Sequence, residues 1–207
     1  MLLRRLATSV LRRGANDGSA LAAVRAEIAH ELSSSHASSS PPSLQSQDIS
    51  DFSAVSDASR GQEVLLRRRD ASEEVLVSAL LAPLRFEGDE PLPRDALMKI
   101  FVSKPGLKPV LRFDCRAFAD EGDGGAADYD VTAVCYHSIA GDAGEDKYEG
   151  PEFSLDPRLQ VALKGHLVTR GVNSKLASSL VHHLIKKEHW QYVNWLKTLE
   201  EMFSKDQ

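Results

Sequence analysis

The stretch from Asn173 to Lys205, NSKLASSLVHHLIKKEHWQYVNWLKTLEEMFSK, decides how the rest of the chain folds. It holds no proline and no glycine, so nothing interrupts a helix for about 30 residues, roughly 45 Å at the helical rise. Leu176, Leu180 and Leu184 form one row at helical spacing. Val181, Ile185, Tyr192, Val193, Leu196, Leu199 and Phe203 carry the apolar surface further around, and Trp190 and Trp195 point in different directions. So broad a face exceeds what one small sheet covers. It predicts a rod buried on two flanks, by the chain's own sheet and by a neighbouring helix or a second copy. The residues expected to carry that packing and any oligomer contact are Leu176, Leu180, Leu184, Tyr192, Trp195, Leu196, Leu199 and Phe203.

The 207 residues are enough to bury a core in one domain. The net charge of -5 is unevenly spread: Glu87 to Glu152 carries 15 acids against 7 bases, a field that favours cationic partners over nucleic acid. No apolar run approaches the length of a membrane span. The start, MLLRRLATSVLRRGAN, has Arg4, Arg5, Arg12 and Arg13 and no acid before Asp17, with Leu2, Leu3, Leu6, Val10 and Leu11 able to share a helical face. Such a segment reads as an organelle transit peptide, expected to end near residue 15. A short N-terminal helix follows within 16–34, its apolar side made by Leu21, Val24, Ile28 and Leu32, and must dock on something larger. A Ser- and Pro-rich linker occupies 35–50, leaving one domain at 51–207, with a sheet over 51–155 and helices over 156–205.

From Phe52 the apolar period changes to two. EVLLRRR (63–69) and EEVLVSALLA (73–82) flank the turn Asp70-Ala71-Ser72. ALMKIFVS (96–103), PVLRFDCRAF (109–118) and YDVTAVCYHS (129–138) follow, and a short strand is expected near 148–155. Consecutive strands without helices between them mean an antiparallel meander of about seven strands, hence an α+β fold. Asp156-Pro157 supplies an N-cap and a first-turn proline for a helix that Gly171 ends, and Asn173 or Ser174 caps the final one.

The chemistry-bearing residues resist sharper assignments. Cys115 and Cys135 lie inside strand-like runs and read as reduced core thiols. Arg67, Arg68 and Arg69 suggest RNA contact, with Lys186 and Lys187 in support, but successive strand residues face opposite sides. EGDGGAADYD lacks the ligand spacing of a calcium loop and the strand-to-helix step of a phosphate cradle. His182, His183 and His189 share a helix without a third convergent ligand, so neither metal nor cofactor is expected. No nucleophile or nucleotide motif is present, and no enzyme is expected.

The tail LDPRLQVALKGHLVTRGVNSKLASSLVHHLIKKEHWQYVNWLKTLEEMF resembles the C-terminal signature of the mitochondrial glycoprotein family, also called the p32 or matrix acidic protein family. Leu155-Asp156, Leu159, Leu163, Arg170-Gly171-Val172, Ala177, Leu180, Lys187-Glu188 and above all Tyr192-Val193-Asn194-Trp195-Leu196 carry the likeness. RAEIAHEL, LLRRR and LRFDC are similar to further family stretches in their plant-like form. The resemblance implies a ring-like homotrimer of seven-stranded twisted antiparallel sheets, each with one short N-terminal helix paired with the last of two C-terminal helices. It implies residence in the mitochondrial matrix and chaperone-like, non-enzymatic binding linked to mitochondrial translation, ribosome assembly and oxidative phosphorylation. On this chain the expected binding residues for basic mitochondrial proteins are the loop acids Glu87, Asp89, Glu90, Asp120, Glu121, Asp123, Asp142, Glu145 and Asp146. RNA contact through Arg67, Arg68 and Arg69 is the alternative.

Overall fold

The computed structural model describes residues 17–33, 40–45, 49, 51–107, 109–119, 127–137 and 156–205. Its elements are α1 (Asp17–Ser33), β1 (Ser53–Ser56), β2 (Val64–Arg69), β3 (Glu74–Leu81), β4 (Phe86–Glu87), β5 (Glu90–Pro91), β6 (Ala96–Ser103), β7 (Val110–Ala119), β8 (Ala127–His137), α2 (Pro157–Val168) and α3 (Ser174–Lys205). The α+β expectation holds. Among the described residues the meander has six strands, in the order β1-β2-β3-β6-β7-β8, with a separate two-stranded β4-β5 hairpin. The seventh strand expected near 148–155 lies outside the described residues, and so does the transit peptide expected over 1–15.

Two compact units divide the chain, Ser43–Ile185 and a second one holding α1 and the helix from Lys186 onward. In the first, alternation sorts each strand into two faces. Val64, Leu66, Val75, Val77, Ala79, Met98, Ile100, Val102, Phe113 and Cys115 are buried in one core with Leu167 of α2 and Leu176, Leu180 and Leu184 of α3. The β-branched and aromatic residues of these strands pack well on a pleated, half-buried surface. Along α2 the expected row is graded: Leu167 is buried, Leu163 half-buried and Leu159 exposed.

Local chemistry sets the boundaries. Asp70 Oδ1 accepts from the Ser72 amide (2.7 Å) and the Glu73 amide (3.0 Å), folding the β2-β3 turn. Pro105-Gly106 closes the next reversal, with Gly106 at φ +79 and the Leu107 amide donating to the Lys104 carbonyl (3.1 Å). Asp156 caps α2 through the Arg158 and Leu159 amides, and Asn173 caps α3 through the Leu176 amide (3.0 Å).

Between α2 and α3 a polar clasp fixes the helices to the sheet. The Tyr129 hydroxyl donates to the Val172 carbonyl (2.8 Å) from a fully buried ring. Burial, then Cys115 and Asp128, pushes that hydroxyl above its ordinary pKa range, so it stays a donor. Asp128 accepts from Lys164 Nζ (2.8 Å) and from the Ser174 hydroxyl (3.0 Å), and Arg170 meets Glu73 at 2.8 Å. Partial burial pushes the Asp128 carboxyl upward, but the Lys164, Tyr129 and Ser174 donors outweigh it and leave the group below its ordinary value. Gly171 takes φ +83, and a Cβ there would sit 3.2 Å from Phe52 Cε2, so the tight exit from α2 requires glycine.

In the second unit α1 runs antiparallel to the end of α3. Arg25 Nε pairs with Glu200 (2.8 Å), Glu27 accepts from the Tyr192 hydroxyl (3.0 Å), and His189 lies 3.5 Å from Glu31. Leu21, Val193 and Leu196 are buried. This is the docking expected for a helix too short to stand alone.

Two outcomes test the clasp. Tyr129→Phe leaves the buried Val172 carbonyl without its donor and should cost about 1–3 kcal/mol, read as a lower urea midpoint with unchanged slope; an unchanged midpoint would contradict it. A carboxyl held below its ordinary pKa contributes stability that is complete above about pH 4 and is lost as pH falls through the lowered value. Asp128→Asn should therefore be less stable than wild type at neutral pH, the gap closing on acidification, whereas a pH-independent gap would refute the role assigned to that carboxylate.

Candidate protein-interaction surface

The described acids that the sequence singled out sit on an arm, not on a plain loop. After β3 the chain leaves the sheet and returns to it at β6. The Ala82 amide donates to the Asp95 carbonyl (2.8 Å), and the Leu92 amide donates to the Arg85 carbonyl (2.9 Å). Beyond these, Phe86 pairs with Pro91 and Glu87 with Glu90, leaving Gly88 (φ +62) and Asp89 as a two-residue turn. Pro83, Pro91 and Pro93 withhold backbone donors along this segment, which keeps so short a hairpin from recruiting a further strand.

A buried carboxylate anchors the arm. Asp95 is 5% exposed, and its Oδ2 lies 2.6 Å from Arg85 and 3.4 Å from Arg116 on β7. One acid thus ties the outgoing side of the arm, at Arg85, to β7 at Arg116. Removing it would leave the Arg85 and Arg116 guanidinium groups near each other without their shared counter-charge, with both side chains reaching solvent. At the tip, Glu87, Asp89 and Glu90 are all exposed, as are Leu84 (47%) and Phe86 (49%). Three carboxylates spaced along a two-residue turn present a local negative field without a side-chain partner among the described residues. Asp120, Glu121, Asp123, Asp142, Glu145 and Asp146, the other acids expected to contribute, lie outside the described residues.

The arginine triplet is divided. Arg67 and Arg69 are exposed on the sheet face away from the core, with Arg69 3.4 Å from Glu74, whereas Arg68 points to the helix side near Asp70 (4.0 Å) and Gly171. The structure brings no three of these cations to one patch. Of the residues named for helix packing, Leu176, Leu180, Leu184 and Leu196 are buried within the chain itself, and Tyr192, Leu199 and Phe203 are half-buried. Trp195 is 55% exposed and stacks on Tyr192 with ring centroids 6.0 Å apart.

The titratable groups are engaged structurally. Burial, followed by Asp114 and Asp130, pushes the Cys115 thiol up to about 12, so it is no thiolate nucleophile near neutral pH. Cys115 faces the helices and Cys135 the opposite side of the sheet, and neither is bridged in a disulfide. His183 Nε2 meets Asp57 at 2.9 Å, and His182 Nδ1 lies 2.8 Å from its own helix's Ser178 carbonyl. Among the described residues no three His, Cys, Asp or Glu side chains converge as a metal set. No described helix is long and apolar enough to cross a membrane.

Sequence reasoning missed the Asp95 clamp and the Asp128 clasp. The only trace of the first was an acid directly before the apolar run of β6, and its partners lie ten or more positions away.

The fold is similar to that of a solved hypothetical protein from Leishmania major, described as a sequence homologue of human p32, with a TM-score of 0.65 and 18% identity over 91% of this chain and 99% of that one. At that identity the likeness establishes the α+β, p32-like architecture alone. The family model described as mitochondrial glycoprotein (MAM33) matches residues 24–203, which takes in the C-terminal part of α1, the whole sheet, α2 and nearly all of α3. On that match, over most of its length, the chain belongs to the mitochondrial glycoprotein family.

Proposed function

We propose that the protein is a non-enzymatic, chaperone-like scaffold of the mitochondrial matrix that holds basic segments of other proteins on acidic loops. The single observation that carries this reading is the anchored arm with Glu87, Asp89 and Glu90 exposed at its tip. The acidic middle of the chain and family membership support it. A carboxylate cluster fixed on a tethered hairpin loses little freedom on meeting a lysine or arginine side chain, which favours binding over a floppy acidic tail. The remaining acids, Asp120, Glu121, Asp123, Asp142, Glu145 and Asp146, extend the same surface in this proposal. Its clients are basic mitochondrial proteins, with ribosome assembly, translation and oxidative phosphorylation as the settings in which such segments need holding.

The proposal includes a homotrimer. Most of the long helix's apolar residues are satisfied inside the chain, which leaves Trp195 and Met202 as its exposed large apolar residues, and of these the aromatic Trp195 is assigned the inter-subunit contact. The N-terminal basic segment serves as the address in this reading and is removed near residue 15.

Two measurements test it. The triple variant Glu87→Gln, Asp89→Asn, Glu90→Gln should bind an arginine-rich peptide about tenfold or more weakly than wild type, while its urea midpoint stays within ~0.5 kcal/mol because all three groups are exposed; equal affinity would remove the arm from the binding surface. Light scattering should give three times the subunit mass for wild type, and Trp195→Arg should shift that mass toward one subunit with the circular dichroism unchanged. A wild-type chain of single-subunit mass would overturn the assembly.

A further inference from the structure

The sheet has a second face that the core does not use. Strand register places Arg67, Leu76, Phe101 and Arg112 in one row across β2, β3, β6 and β7, and Leu65, Ser78, Lys99 and Asp114 in the next. Leu80 and Leu97 pair in a third row. Leu65, Leu76, Leu97 and Phe101 are only half-buried, Leu80 is 38% exposed, and none of them belongs to the core beneath the helices. Leu76 and Phe101 are direct cross-strand neighbours on this face with Leu65 diagonal to Leu76, and Leu80 and Leu97 make a second apolar pair beyond the Ser78–Lys99 row; exposed apolar groups gathered on one face are of the kind that marks interaction sites.

The charges around this surface are unevenly satisfied. Arg69 is held by Glu74 (3.4 Å), Arg112 by Asp114 (2.9 Å) and Arg116 by Asp95 (3.4 Å). Glu63 accepts from the Ser78 hydroxyl, and Asp130 stands opposite Arg116 at the β8 side. That leaves Arg67 and Lys99, both exposed and without a side-chain partner among the described residues, on either side of Leu76. Two strand spacings and one two-residue step separate their backbones, about 12 Å.

We propose that this face docks an extended acidic-apolar peptide segment, with two carboxylates meeting Arg67 and Lys99 and an apolar side chain between them on Leu76 and Phe101. In an extended chain residues i, i+2 and i+4 project to one side, and i to i+4 spans about 13 Å. The recognised pattern is therefore acid-x-apolar-x-acid. A nucleic acid fits less well: it carries a charge at every phosphate, and Glu63, Glu74, Asp114 and Asp130 lie on the same face. A peptide with two placed acids meets fewer of those carboxylates than a nucleic acid does, Asp114 beside Lys99 being already engaged by Arg112 (2.9 Å). The surface is separate from the arm tip and calls for the opposite charge in its partner, so the inference does not rest on the function proposed above.

Fluorescence anisotropy with the full chain tests it. The probes are a labelled peptide with two glutamates four positions apart and a leucine midway among serines, the same peptide with lysines for the glutamates, and an oligouridylate of equal length. The glutamate peptide should bind wild type, and the double variant Arg67→Glu, Lys99→Glu should weaken it by about tenfold or more. Both side chains are exposed, so the variant keeps its fold by circular dichroism and its affinity for an arginine-rich peptide. Equal affinity of variant and wild type for the glutamate peptide would overturn the proposal, as would lysine and glutamate peptides binding alike. Tighter binding of the oligouridylate, lost in the double variant, would overturn it in favour of a nucleic-acid face.

Discussion

Burial of one helix row against one sheet face carries the larger unit. Leu176, Leu180 and Leu184 share a core with Val77, Ile100 and Phe113, and each fully buried side chain of this kind contributes on the order of 1.5–3 kcal/mol. The strands alone would expose that face to water, and the helix alone would expose its row. Their union is enforced at the start of α3, where Asn173 caps the helix, Tyr129 holds the Val172 carbonyl and Gly171 turns the chain where a Cβ would crowd Phe52.

With one face spent on the core, the chemistry of the protein falls to what remains outside it. The arm leaves between β3 and β6, where its departure interrupts no ladder of the main sheet, and Asp95 pins its base between Arg85 and Arg116. Its tip is acidic, whereas the open sheet face carries uncompensated positive charge at Arg67 and Lys99. In the proposed reading these separate surfaces of opposite character hold other proteins. Among the buried ionisable groups, Asp128, Tyr129 and Arg170 are spent on holding helices to strands, and burial pushes the Cys115 thiol up to about 12.

What could be read in the sequence was whatever depends on neighbours in the chain. Asp156-Pro157, Asn173 and Asp70 mark their caps and turn because those contacts span only a few residues, and ALMKIFVS gives β6 to the residue because its alternation has no exceptions. The β4-β5 hairpin escaped because two-residue strands are too short to show a period and the flanking prolines argue against a strand. The two-flank expectation for the long helix named a neighbouring helix or a second copy, and α1 is such a neighbour for the part from Lys186 onward. Leu196 is buried in the unit that contains α1, and Tyr192 donates to Glu27, 165 positions away. For the site, the acids were legible as residues. Their rigid mounting through Asp95 was not, because Arg116 becomes its neighbour only once β6 and β7 pair.

Electrostatic capture of cationic segments is the central proposal for this protein, and calorimetric titration of the wild-type protein with an arginine-rich peptide at rising salt tests it most directly. Between about 0.1 M and about 1 M the screening length contracts from about 10 Å to about 3 Å, and the affinity should fall steadily across that range. An affinity that stays level with salt, or a peptide that fails to bind even at the lowest concentration, would contradict it.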